Sequence, residues 1–121
     1  MPEQTPQTGL SDNAAGALAY LTFIPALIFL LVAPYNQKAF IRFHAWQSIL
    51  LTVAAIVINI ALGIFLGITM IFLGFSIYLL IWRLIELCWF ALWLVCVFNA
   101  FNGKLFKLPV IGDIAAKQAG I

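Results

Sequence analysis

The sequence predicts an all-α polytopic membrane protein with three transmembrane helices, a fourth staying open, plus interfacial amphipathic segments. Three observations carry this. Of 121 residues, 65% are hydrophobic and 8% charged, where soluble domains carry roughly 45–50% and about 25%. Mean hydropathy is +1.13. The apolar residues also fall into long uncharged runs, at 14–33, 45–82 and 87–103. So much apolar surface exceeds what a core of this size can bury, so it faces lipid. A soluble enzyme, a disulfide scaffold and a disordered chain are excluded on that ground. A formal charge of +2, scattered along the chain, is no nucleic-acid footprint.

Residues 1–13 read as a polar tail without Lys or Arg, and Ser11, Asp12 and Asn13 supply caps for a helix starting near Ala14. The run 14–33 matches the ~20 residues of a bilayer crossing, with a kink expected at Pro25. Pro34 ends it. Next, 36–46 interleaves Lys38, Arg42 and His44 with Phe40, Phe43 and Trp46, the mixture an interfacial segment needs. The uncharged run 45–82 would be about 57 Å long as one helix, nearly twice the hydrocarbon thickness, so a turn is expected between Gly67 and Gly74. Spans are therefore placed at 14–33, 46–68 and 75–102. Lys38 and Arg42 flank one end of the last pair, and Lys104, Lys107 and Lys117 the other. The positive-inside rule then puts both ends in the cytoplasm and the amino terminus outside.

At 100° per residue, Ser48, Thr52, Asn59, Gly63 and Gly67 share one stripe of the second span. Gly63 and Gly67 form a GxxxG pair, which reads as packing within the chain or, alternatively, as a seam to another subunit or copy. Arg83 and Glu86 lie three apart and are expected to form an intramembrane ion pair, with docking to a partner or lipid headgroup as the alternative and transport chemistry the weakest reading. Trp82, Trp89 and Trp93 form an aromatic arc for packing or lipid, with a flat ligand as the sharper alternative. His44 is the sole histidine. No second His, Cys or carboxylate stands at ligand spacing, so an orienting hydrogen bond is expected of it rather than a metal. Cys88 and Cys96, eight apart on a helix, are out of disulfide reach. No catalytic constellation is present and no enzyme is expected. No cofactor is implied, though a bound lipid or pigment stays open.

The last segment, 103–121, alternates Lys104, Lys107 and Lys117 with Leu105, Phe106, Leu108, Val110, Ile111 and Ile114. Pro109 and Gly112 break any single helix. An apolar ribbon with snorkelling lysines is expected in the headgroup layer, close to the Lys38–His44 segment. Lys38, Arg42, His44, Gln47, Lys104, Lys107, Pro109 and Asp113 are thus the candidate contacts to headgroups or a partner.

Arg42-Phe43-His44-Ala45-Trp46-Gln47-Ser48, together with Gly103-Lys104 and Phe106-Lys107-Leu108-Pro109-Val110-Ile111-Gly112-Asp113, resemble a family of small bacterial membrane proteins of unknown function. That family is distantly similar to the twenty-kilodalton subunit of the chloroplast inner-envelope protein-import translocon. Ser11-Asp12-Asn13 is similar to it as well, and the likeness covers about residues 11–118. The resemblance implies a bacterial cytoplasmic membrane and membership of a membrane complex. The plastid relative has four spans. The functional expectation is an accessory or scaffold subunit. A pore or protein-translocation component is the alternative that the resemblance supplies, and a lipid- or pigment-binding subunit is the weaker one.

Overall fold

The computed structural model describes residues 11–121, so residues 1–10 of the expected tail lie outside them. The described elements are α1 (Asp12–Leu18), α2 (Phe23–Leu31), a single 3-10 turn (Tyr35–Gln37), α3 (Ala39–Leu73), α4 (Phe75–Phe101) and α5 (Ile111–Ala119). The fold is all-α, as the composition requires. Two helices are long and apolar enough to cross a membrane, α3 and α4. At 35 and 27 residues they measure about 52 and about 40 Å.

The first apolar run is not one continuous helix. Ser11 Oγ accepts from the Ala14 N–H and starts α1, but the helix stops at Ala19. Thr22 Oγ1 then accepts from the Ile24 N–H and starts α2. Pro25 sits in the first turn of α2, where no N–H is needed, so it helps open a helix instead of kinking one. The two pieces fold back on each other. Asp12 lies 2.5 Å from Lys38 Nζ, while the Phe29 ring is 5.0 Å from that of Tyr35. Both ends of the segment therefore meet the start of α3, whereas a crossing would hold them about 30 Å apart. The expected span 14–33 is a helical hairpin. The backbone freed at its bend is taken up by the chain, since Trp93 Nε1 donates to the Tyr20 carbonyl.

Two further boundaries shift. The interfacial segment expected at 36–46 is not separate, because residues 39–46 form the first turns of α3. The turn expected over Gly67–Gly74 shrinks to Gly74 alone (φ 89°, ψ 157°), which separates α3 from α4. The spans expected at 46–68 and 75–102 are thus 39–73 and 75–101. Helical hydrogen bonding inside an apolar medium favours running the helix to the last residue able to continue it.

The core lies at the base of α3, where Ile41, Phe43, His44, Ala45, Gln47, Ser48 and Leu51 are buried beneath α1, α2 and α5. Beyond Leu51 only Leu66 is buried, and Ile71 and Phe72 are about four-fifths exposed. The distal part of the α3–α4 pair thus presents apolar side chains outward, as lipid requires. After α4 the chain turns at Gly103, runs extended over 104–108 and re-forms a helix at α5. A β-carbon at Gly103 would lie 3.2 Å from Asn13 Oδ1. The start of α1 therefore abuts the end of α4.

Gly74 occupies a conformation open to glycine alone, with no atom within 4 Å of a prospective β-carbon. Replacing it with Ala is expected to cost about 1–3 kcal/mol from backbone strain alone. Gly67, helical and equally uncrowded, should tolerate Ala or gain from it. Thermal unfolding of both variants in detergent checks the contrast.

Candidate functional site

Helical spacing puts His44 and Gln47 on one face of α3, three residues apart. Tyr20, at the hairpin bend, and the extended 104–108 segment meet that face. The hydrogen bonds run in one direction through it. The Leu108 N–H donates to Gln47 Oε1 at 3.0 Å. Gln47 Nε2 donates to the Phe106 carbonyl and to Tyr20 Oη, both at 2.8 Å. Tyr20 and His44 Nδ1 are 2.7 Å apart, and His44 Nε2 lies 3.0 Å from the Lys104 carbonyl. A carbonyl can only accept, so Nε2 carries the proton and Nδ1 accepts from the Tyr20 hydroxyl. The carboxamide is oriented likewise, since only its oxygen can face the Leu108 N–H. Tyr20, His44 and Gln47 are all buried, and every ring and amide position named is matched.

Around this network the base is closed by charge and by small residues. Arg42 grips the end of α5, with Nε and Nη2 donating to the Ala119 carbonyl at 3.2 and 2.6 Å and Nη1 to the Asn36 carbonyl. A cation there also complements the negative end of the helix dipole. α5 ends in a Schellman turn, Ile121 N–H to Ala116 and Gly120 N–H to Lys117. Its small face, Ala115, Ala116 and Ala119, is buried on Phe43. Gly112 allows the close return of the chain, as a β-carbon there would lie 2.6 Å from Lys107 Cα. Gly16 does the same for α1, where a β-carbon would lie 2.8 Å from the Phe40 ring.

A family model described as "Magnetosome magnetite crystal formation protein family" matches residues 11–115. The chain belongs to this family. Similar curated proteins include a UPF0132 membrane protein of Archaeoglobus fulgidus, 37% identical over 92% of this chain and 98% of the relative. Two from Methanocaldococcus jannaschii are 39% identical over 92% and 91%, and 38% identical over 90% and 71%. All three are named as membrane proteins. No solved structure matches.

The stretch matched to the family runs from the cap of α1 into α5, and the three motif stretches within it meet at the base. Ser11-Asp12-Asn13 abuts Lys38 and Gly103. Arg42 to Ser48 forms the buried face of α3, and Gly103 to Asp113 lies along it. The segment expected in the headgroup layer is therefore docked on its own chain. Lys104 contributes its carbonyl. Lys107 Nζ stands 3.9 Å from Asp113 Oδ1, an exposed and weak pair. Pro109 starts a γ-turn, with the Ile111 N–H donating to its carbonyl at 2.7 Å and Val110 held at φ 64°, ψ −54°.

On the expected packing stripe, Ser48 is buried and its carbonyl accepts from Thr52 Oγ1. Asn59 Oδ1 accepts from Trp89 Nε1 at 2.9 Å. Gly63 faces the Trp82 ring, but Gly67 packs against nothing. An open groove of about 440 Å³, lined in part by Thr52, Asn59, Trp89 and Trp93, runs between α3 and α4. Arg83 and Glu86 are both exposed on α4, and no ion pair joins them. Their spacing shares a flank, yet an acid placed four residues before a base is the better order, and here the base comes first at three. Among the described residues no three of His, Cys, Asp and Glu cluster. Sequence reasoning missed Tyr20, although it is the one hydroxylated ring in the uncharged run 14–33.

Replacing Gln47 with Leu strands the Leu108 N–H and the Phe106 carbonyl. A loss of about 1–3 kcal/mol and faster tryptic cleavage at Lys104 and Lys107 are expected. Val110→Gly relieves the positive φ and should stabilise the chain by about 1 kcal/mol, measurable as a rise in thermal midpoint.

Proposed function

We propose that the protein is a non-catalytic building block of a membrane assembly, an accessory or scaffold subunit that works through the outer surface of its two long helices. One observation carries this reading: the buried polar groups of Tyr20, His44 and Gln47 are all engaged within the chain. The distal α3–α4 surface, in contrast, is apolar and grooved. Tyr20, His44 and Gln47 thus leave reactive chemistry no free group among them, while lateral packing has a large surface.

The orientation follows from charge. Lys38, Arg42, Lys104, Lys107 and Lys117 all belong to the base, which supports a cytoplasmic base, with Gly74 at the opposite end of the two spans. The family description concerns magnetite crystals. That role is not carried over, because the carboxylates at the base, Asp12 and Asp113, each stand beside a lysine.

A lipid-binding role is the second reading, supported by the groove between α3 and α4, whose lining of Leu51, Ala55 and Ile60 beside Trp89 suits an acyl chain. The pore alternative rests on the resemblance to the plastid translocon subunit alone. His44, with both ring nitrogens engaged, gives no support to a pigment.

Affinity purification from native membranes in a mild detergent, with native mass and lipid content determined together, tests the proposal. A stoichiometric complex larger than one 13.4 kDa chain is expected. A lone monomer sinks the assembly reading, and a monomer with retained lipid favours the second.

A further inference from the structure

Arg83 and Glu86 are the only charged residues between 45 and 103, and both stand exposed on α4. The contacts between the long helices place them in depth. Gly63 meets Trp82 and Asn59 meets Trp89, so both charges lie level with residues near 60–64 of α3. Arg83 is nine residues beyond Gly74 and Glu86 sixteen short of Asn102, about 14 and about 24 Å along the axis. That is the middle of a hydrocarbon layer of about 30 Å, too deep for Glu86 to reach water and unfavourable for either charge without a partner. Neither has a salt bridge or hydrogen bond to another described residue.

Spacings of four, three and four put Leu79, Arg83, Glu86 and Phe90 on one flank of α4. Leu79 and Phe90 are exposed too. Trp82 and Trp89, which hold α3, border this flank beside Glu86, centred about 80° round the helix from its middle. We propose that this flank is a self-association seam: two copies pack α4 against α4 about a two-fold axis along the membrane normal. The guanidinium of Arg83 in each copy meets the Glu86 carboxylate of the other, and Leu79 and Phe90 pack above and below.

A second copy is the occupant that the charges specify. Copies inserted in one membrane share an orientation, so position 83 of one stands level with position 83 of the other. The offset to position 86 is about 4.5 Å of rise, within reach of an arginine side chain. One acid and one base at that offset make the surface complementary to itself, as a two-fold interface requires. Apolar contact alone gives helices little reason to associate in lipid, so the charge pair selects this flank over the rest of α4. The seam rests on the building-block reading and names its partner.

The test uses the full chain carrying two different tags, co-expressed and extracted in mild detergent or native nanodiscs. The wild type should capture itself. R83E alone and E86R alone should lose self-capture at least tenfold, because each sets like charges face to face. R83E co-expressed with E86R should restore capture to within about twofold, since both cross-pairs then match. Pairing within one chain predicts no such rescue in trans. Should the swaps fail to insert, Leu79→Cys and Phe90→Cys in a Cys88→Ala background should cross-link to dimers in membranes. Native Cys88, on the other flank, should not. Unchanged self-capture in R83E, absence of rescue in trans, or cross-linking through Cys88 but not position 79 would overturn the seam. A monomer bound to a foreign subunit overturns the seam and leaves the building-block reading standing, whereas a solitary monomer overturns both.

Discussion

The fold depends on one carboxamide. Gln47 holds the hairpin bend through Tyr20 and the carboxyl-terminal segment through Phe106 and Leu108, so three parts of the chain far apart in sequence share one side chain. The consequence is clearest for residues 12–31. Twenty residues with no charge beyond Asp12 are long enough to cross a bilayer, and hydropathy alone favours that. Crossing would carry the Tyr20 hydroxyl to mid-membrane and leave His44 and Gln47 facing lipid without donors or acceptors. Unmatched polar groups in an apolar medium are costly. Folding back satisfies Tyr20, His44 and Gln47 at once, with Trp93 donating to the Tyr20 carbonyl at the bend.

Much of the architecture was legible in residue patterns, and the failures share a cause. The two long apolar helices, an interruption somewhere in Gly67–Gly74, the cap at Ser11 and the proximity of the last segment to Lys38–His44 all follow from local chemistry: uncharged runs, glycine, hydroxyl caps and lysine spacing. The hairpin does not. Its evidence is the match between Tyr20, Gln47 and a backbone stretch some sixty residues further on, and nothing local reports a long-range match. Pro25 misled for a related reason, since a proline reads as a kink until the preceding Thr22 is recognised as a cap. At the base, His44 was visible as the sole histidine and Gln47 as part of the polar interfacial segment, but their partners besides Tyr20 are carbonyls and an N–H, which every residue carries. Arg83 and Glu86 were visible as charges, but spacing on a helix does not decide whether two side chains meet.

The two halves of the molecule are held by different forces. At the base, directed hydrogen bonds, the Asp12–Lys38 pair and the grip of Arg42 on α5 fix one arrangement. In the distal half, Gly63 against Trp82 and the Asn59–Trp89 bond join two helices that otherwise face outward. Water drives no association there, because lipid solvates apolar side chains as well as a neighbouring helix does. A rigid polar foot thus carries a pair of helices whose outer surfaces are available to neighbours.

The docking of residues 104–119 on the start of α3 also sets an order of events during synthesis. Arg42 emerges from the ribosome 77 residues before the carbonyl that completes it, and His44 and Gln47 some sixty before theirs. Until then α3 and α4 can be threaded into the bilayer while the foot stays open, its buried groups served by water at the membrane surface. Closure waits for α5, and a chain cut short before it would insert yet never lock.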